Sequence, residues 1–204
     1  MPPRDSPRIL GVGGSPRRGG NTDLLLDRIL EGAASAGAEV ESVHLRDYTI
    51  EACTGCERCR KDLTCTRFFD GMHLLYPKLE GAQGLVIGSP TYNYNVTSMT
   101  KSFIDRLYPY YTFTGERPGG GYSSRLAGAG RAALVFSVCE QTDISEMGFT
   151  LEALSMPLEA LGYEVAERFP VTGIFERGAV RRHEEIMDAA YEAGRRFARQ
   201  IMAR

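Results

Sequence analysis

No stretch of this 204-residue chain approaches the roughly 18–20 consecutive apolar residues of a membrane span. The opening Met1 to Pro7 carries prolines and charges with no apolar run behind them. It reads as a short flexible leader, not as a secretory signal, and residues 8–204 as a single domain. There is no basic run and no acidic tail, and Lys+Arg 24 against Asp+Glu 26 leaves a net charge of −2. That balance excludes an electrostatic footprint for nucleic acid. It is also less acidic than a small electron carrier that docks by charge would need. Internal repeats and low-complexity blocks are missing. Histidine is scarce: His44, His73 and His183 are scattered, and His183-Glu184-Glu185 lacks the second histidine of a zinc-protease helix. No serine sits in a nucleophile-elbow context.

What remains is an ordinary globular composition, 43% hydrophobic and 25% charged, with enough chain to bury a core without disulfides. Glycine is high at 23 of 204, and much of it falls where strands should hand over to helices. Four of the five cysteines crowd into positions 53–65. In a reducing cytoplasm, the compartment this pattern suggests, such a cluster holds metal or does redox chemistry more often than it forms disulfides.

Short apolar runs alternate with amphipathic ones. The strands are Arg8 to Gly13, Glu39 to Leu45 (with Val40, Val43 and Leu45 toward a core), the run Leu85 to Gly88, Ala132 to Val138, and Glu164 to Val171. Helices are predicted for Thr22 to Ala36, Gly71 to Leu79, Ser98 to Leu107, Ser145 to Leu161 with a kink at Pro157, and Ala179 to Ala203. Five strands alternating with five helices make an α/β fold, a doubly wound parallel sheet. The common five-stranded solution is the flavodoxin-like order 2-1-3-4-5. Ligands then sit beyond the carboxyl ends of the strands, in the loops after Gly13, Ser89 and Val138. The segment from Tyr108 to Gly130 fits least well. It reads as a structureless connection whose five aromatics, Tyr108, Tyr110, Tyr111, Phe113 and Tyr122, favour a buried contact over a floppy insertion.

The first loop, Gly13-Gly14-Ser15-Pro16-Arg17-Arg18-Gly19-Gly20-Asn21-Thr22, has the makings of a phosphate cradle. Glycines turn backbone N–H groups inward, the next helix presents its positive end, and Ser15, Asn21 and Thr22 add short donors. Arg17 or Arg18 supplies charge, which suits a phosphate monoester. There is no G-K-[ST], and Pro16 stands where a dinucleotide fingerprint needs its third glycine. The competing reading is that Asn21 or Thr22 only caps a helix. The second loop, Pro90, Thr91, Tyr92, Asn93, Tyr94 and Asn95, sets aromatic faces beside amides, as a flat heteroaromatic ring such as a flavin requires. An ordinary turn has the same composition.

Cys53, Cys56, Cys59 and Cys65 give C-x2-C-x2-C-x5-C. Paired x2 spacings resemble the bacterial ferredoxin run, and Cys65 has chain enough to fold back onto the same [4Fe–4S] cluster. Zinc favours two separated pairs, a redox dithiol needs only two of the four, and buried free thiols sit badly beside Glu57, Arg58, Arg60, Lys61 and Asp62. All three readings stay open behind the cluster. Cys139, just past the fourth strand, reads as a small packing residue.

With GGSPRRGGNT, CTGCERCRKDLTC and GSPTYNYNVTSMTKSFIDRL in this order, the chain resembles the iron–sulfur flavoproteins of the NADPH-dependent FMN reductase superfamily. The resemblance implies FMN held by Ser15, Arg17, Asn21 and Thr22, with Pro90 through Asn95 around the isoalloxazine. It implies a [4Fe–4S] cluster on the four cysteines, and a homodimer or homotetramer in which a cluster nears a flavin across a subunit contact. The acidic pair usual after the cysteine run appears here as Phe69-Asp70. The expected activity passes electrons between a reduced donor, ferredoxin or NAD(P)H, and a small acceptor. A cluster-free NAD(P)H-dependent FMN or quinone reductase and a non-enzymatic electron-transfer protein are the alternatives.

Overall fold

The computed structural model describes residues 6–116 and 118–204, so most of the leader expected over 1–7 lies outside the described residues. In chain order the elements are β1 (Arg8–Gly13), α1 (Asn21–Ser35), β2 (Glu39–His44), α2 (Cys59–Asp62), α3 (Met72–Gly81), β3 (Gly84–Pro90), α4 (Ser98–Asp105), β4 (Tyr111–Thr114), β5 (Gly121–Ser124), β6 (Ala132–Val138), α5 (Thr150–Ala160), β7 (Glu164–Val171) and α6 (Glu184–Met202). The main sheet runs β2-β1-β3-β6-β7 with every pair parallel. With β4 and β5 set aside as a separate pair, this is the expected 2-1-3-4-5 order.

Strand side chains alternate between two cores, as a period of two demands. Leu10, Val12, Leu85, Ile87, Ala133 and Val135 face α3, α4 and α5, which return Met72, Leu75, Phe103, Leu154 and Leu158. Ile9, Val86, Leu134 and Phe136 face α1 and α6, which return Leu25, Leu26, Ile29, Ala193 and Phe197. Each of the valine, leucine, isoleucine, phenylalanine and methionine side chains among them contributes on the order of 1.5–3 kcal/mol when fully buried. The α1–α6 crossing is tight enough to need glycine on both sides. A Cβ on Gly194 would stand 1.8 Å from the Ile29 carbonyl oxygen, and one on Gly32 1.9 Å from that of Tyr191.

The largest departure from expectation is in the 108–130 segment, which is not structureless. After a 3₁₀ turn at Tyr108–Tyr110, β4 and β5 pair antiparallel, with Tyr111 opposite Ser124 and Phe113 opposite Tyr122. Tyr111 and Phe113 share a face and meet Tyr108 and Tyr122, with ring centroids 5.3–6.4 Å apart. The buried contact is made in full by Tyr110 and only in part by the others, since Tyr122 stays 57% exposed.

Smaller differences concern element ends. Gly148, at φ 59, splits the expected Ser145 to Leu161 helix into a 3₁₀ turn at Ile144–Met147 and α5. Pro157 stands inside α5, which runs on to Ala160. A 3₁₀ turn at Ala179–Arg182 precedes α6, and a short helix, α2, lies inside the cysteine stretch. Val40 points out to solvent, because only Val43 and the following Leu45 reach the core. Among the described residues no helix is long and apolar enough to cross a membrane.

Candidate functional site

A cavity of about 300 Å³ opens at the carboxyl rim of the sheet, between the loops after β1, β3, β6 and β7. Ser15, Arg17, Asn21 and Thr22 line one side, and Pro90, Thr91, Tyr92 and Asn93 line another. The topological switch point between β1 and β3 is where an open α/β sheet binds ligands.

The first loop is held in place from behind. The buried carboxylate of Asp23 accepts the Gly19 N–H at 2.8 Å and both Arg46 terminal nitrogens, at 2.9 and 2.8 Å. Arg46 also donates to the Ser15 carbonyl at 3.0 Å. The Gly14 carbonyl accepts the Thr97 hydroxyl at 2.7 Å, and a Cβ on Gly14 would stand 2.0 Å from Thr100 Oγ1. Only glycine permits that approach. The first intrahelical bond of α1 runs from the Leu24 N–H to the Gly20 carbonyl, so the N–H groups of Asn21 and Thr22 lie before the helix ladder. They and the dipole make the cavity's anion-attracting end.

Gly20 is the helix cap, with no side-chain cap bond, so neither Asn21 nor Thr22 caps α1. Asn21 instead reaches across to the segment after β7. Its Nδ2 donates to the Glu176 carbonyl at 2.9 Å, and its Oδ1 accepts the Val180 N–H at 3.1 Å. Arg18 leaves the cavity to pair with Asp47, which makes Arg17 the arginine of this loop that lines it.

The second loop is a two-residue turn. Tyr92 and Asn95 exchange backbone hydrogen bonds at 2.8 and 3.1 Å, and Asn93 and Tyr94 between them take φ 47 and 63. Asparagine tolerates that region, whereas a tyrosine there is an outlier of the kind held for function. Thr91 is fixed by hydroxyl contacts to Ser137 and Thr150, each at 3.1 Å. Tyr94 and Asn95 stand outside the lining: the Tyr94 hydroxyl bonds Glu146, which raises its pKa, and Asn95 Oδ1 accepts the Val96 N–H. Sequence reasoning missed Val138, Glu140, Ile174, Phe175 and Arg177 on the same cavity. Glu140 was within reach, being two residues past β6. The loop after β7 also leaves a carboxyl end, and that was the signal for Ile174, Phe175 and Arg177.

All four clustered cysteines line a second cavity, of about 170 Å³, together with Arg58, Arg67, Phe68, Arg106 and Tyr108. Cys53 and Cys56 are exposed, Cys59 and Cys65 buried, and none is in a disulfide. Burial, and then the neighbouring Cys65, Cys53 and Cys56, push the Cys59 thiol up. The Arg58 N–H and the Thr54 hydroxyl bring Cys56 down. Among the described residues no three His, Cys, Asp or Glu side chains are gathered closely enough to hold a single metal ion. The two cavities share no lining residue. Cys139 is buried and lines neither.

Residues 7–147 match the family model described as NADPH-dependent FMN reductase. An iron-sulfur flavoprotein of Archaeoglobus fulgidus is 32% identical over 181 residues, which cover 85% of this chain and 80% of that one. Another of the same name and organism is 39% identical over 111 residues, 54% of this chain, and the match spans about half (48%) of that relative's length. Among solved structures, a flavone reductase superposes with a TM-score of 0.71 at 20% identity, covering 96% of this chain and 63% of that one. That likeness speaks for the fold.

Proposed function

The chain belongs to the NADPH-dependent FMN reductase family, and we propose that it is a flavin-dependent oxidoreductase in which FMN occupies the rim cavity and a [4Fe–4S] cluster the cysteine cavity. When bound, FMN exchanges electrons in pairs and the cluster singly, so together they couple two-electron to one-electron partners.

The observation that carries the cluster is that four cysteines from one short stretch line one cavity. Thiolates are the ligands an iron–sulfur cluster takes, and negative sulfurs brought together on it would be held by its cationic iron. Arg106 lines the same cavity, is 2% exposed, and its Nε has no hydrogen-bond partner among the described residues. Its charge is met by Asp70, and the unpartnered Nε–H is left as a donor that a cluster sulfur would take. For the flavin, Ser15, Arg17, Thr22 and the first N–H groups of α1 would take the phosphate. Pro90, Thr91, Tyr92 and Asn93 would flank the ring, with Tyr94 and Asn95 shaping the turn that presents them.

The donor is NAD(P)H or a reduced carrier such as ferredoxin, and the acceptor is a small molecule. The chain works in a reducing cytoplasm as a homodimer or homotetramer. Two cavities with no shared wall are consistent with a relay that crosses a subunit contact. The optical spectrum of anaerobically purified protein tests the reading. A flavin spectrum over broad brown absorption that dithionite bleaches is expected. Flavin absorption alone would remove the cluster and leave a cluster-free FMN or quinone reductase.

A further inference from the structure

Arg177 belongs to no motif, and it sits three strands from the glycine-rich loop along the sheet. Between β1 and β7 stand β3 and β6. The chain nevertheless brings it back over the rim. After β7, the Gly173 N–H bonds the Gln141 carbonyl at 2.9 Å and the Ile174 N–H bonds that of Cys139 at 3.1 Å, rooting the segment beside β6. Ala179 and Val180 are then buried in the α1–α6 core. In between, the two bonds from the Asn21 side chain tie residues 176 and 180 to the start of α1. The result is a strap along one wall of the cavity.

The strap places two side chains there. Phe175 lies under the Arg17 guanidinium at 5.8 Å, and both line the cavity. Arg177 lines it too, with Nη2 only 3.6 Å from where a Cβ on Gly19 would stand. Neither Arg17 nor Arg177 is paired with a carboxylate in an ion pair among the described residues. Glu140 is the carboxylate on the cavity wall. Two guanidinium groups without a carboxylate partner thus line the cavity that Asn21 and Thr22, at the start of α1, also line. A phosphate monoester near neutral pH carries a charge of about −1.5 to −2, which one arginine and the roughly +0.5 of a helix end match only at its lower limit.

We infer that Arg177 is a phosphate-binding residue of the flavin site, and that Asn21 is a positioning residue that latches its strap onto the phosphate loop. This rests on the reading of the rim cavity as the FMN site. Asn21 then serves the phosphate through Arg177, its Oδ1 and one Nδ2 hydrogen being engaged by the backbone of the strap.

Titration of the flavin-stripped protein with FMN and with riboflavin, followed by flavin fluorescence, tests it. Riboflavin has the same ring and no phosphate. Arg177→Ala should weaken FMN about tenfold to a hundredfold, the scale of one charged hydrogen bond, and leave riboflavin unchanged. Arg177→Lys should restore much of the loss. Asn21→Ala should weaken FMN selectively, and the double variant should be no weaker than the weaker single one, because one residue acts through the other. Equal losses for FMN and riboflavin, additive losses in the double variant, or unchanged FMN affinity in Arg177→Ala beside normal wild-type binding would each overturn the inference alone. A wild-type chain that took up no FMN would instead overturn the flavin reading on which it stands.

Discussion

Arg106 holds Asp70 in a two-pronged pair, Nη1 to Oδ2 at 2.7 Å and Nη2 to Oδ1 at 3.1 Å, with side chains 2% and 6% exposed. The arginine also donates to the Glu51 carbonyl at 2.9 Å, and its guanidinium lies 5.4 Å from the Phe68 ring centre. Asp70 accepts the N–H groups of Glu51 and Met72 as well, at 2.9 and 3.1 Å. The pair therefore fastens both ends of the cysteine stretch to the end of α4. Where the resembling family has two acids, this chain has Phe69, 87% exposed, and a single acid spent on Arg106.

Asp70→Ala leaves a buried guanidinium without its partner, which costs about 3–5 kcal/mol. Urea unfolding should show a loss of that size at neutral pH. A loss below about 1 kcal/mol would mean that the pair is no anchor.

The same pair predicts a pH dependence. Burial pushes the Asp70 carboxyl up, but the Arg106 guanidinium and the Glu51 and Met72 N–H groups outweigh it and leave the pKa below its usual value. Its stabilisation is complete above the unfolded pKa, about 3.9, and is lost as pH falls through the lower folded value. Asp70→Asn should flatten stability between pH 5 and about 2 relative to wild type. Parallel curves for the two proteins would contradict this.

Cys56→Ser should lose iron and keep flavin, because the two cavities have no wall in common. Metal and flavin analysis of one preparation reads both. Iron at the wild-type level, or flavin lost with iron retained, would break the assignment of Cys56.

Tyr94 at φ 63 carries backbone strain on the order of 1–2 kcal/mol. Tyr94→Gly should raise the urea midpoint while loosening the turn that presents Tyr92 and Asn93. A lower midpoint would show that the Tyr94 ring and its bond to Glu146 matter more than the strain.

Gly194→Ala drives a methyl into the Ile29 carbonyl and must pry α1 from α6. Overpacking of this kind typically costs about 1–3 kcal/mol. Calorimetry should show a lower Tm; an unchanged one would mean that the helices can part freely.

The sheet was readable because its three central strands, β1, β3 and β6, are short apolar runs buried on both faces, and the edge strands β2 and β7 fall between predicted helices at the spacing an alternating α/β pattern requires. The phosphate loop and the cysteine run were readable because their residues are neighbours in sequence. Arg177 was not, since it meets Gly19 only through the sheet order and the Asn21 bonds. Nor was the Arg106–Asp70 pair, whose partners are 36 positions apart and look alike with surface charges. The β4–β5 hairpin was hidden by short strands of four residues each, with glycines that read as loop. Gly148 cut a helix that periodicity alone joined, because leucine spacing does not register a left-handed residue.

Iron, acid-labile sulfide and extracted FMN, counted per chain in oxygen-free protein, test the central claim most directly. The account predicts about four iron, about four sulfide and about one FMN. Protein with one zinc per chain, or with flavin and no sulfide, would contradict it.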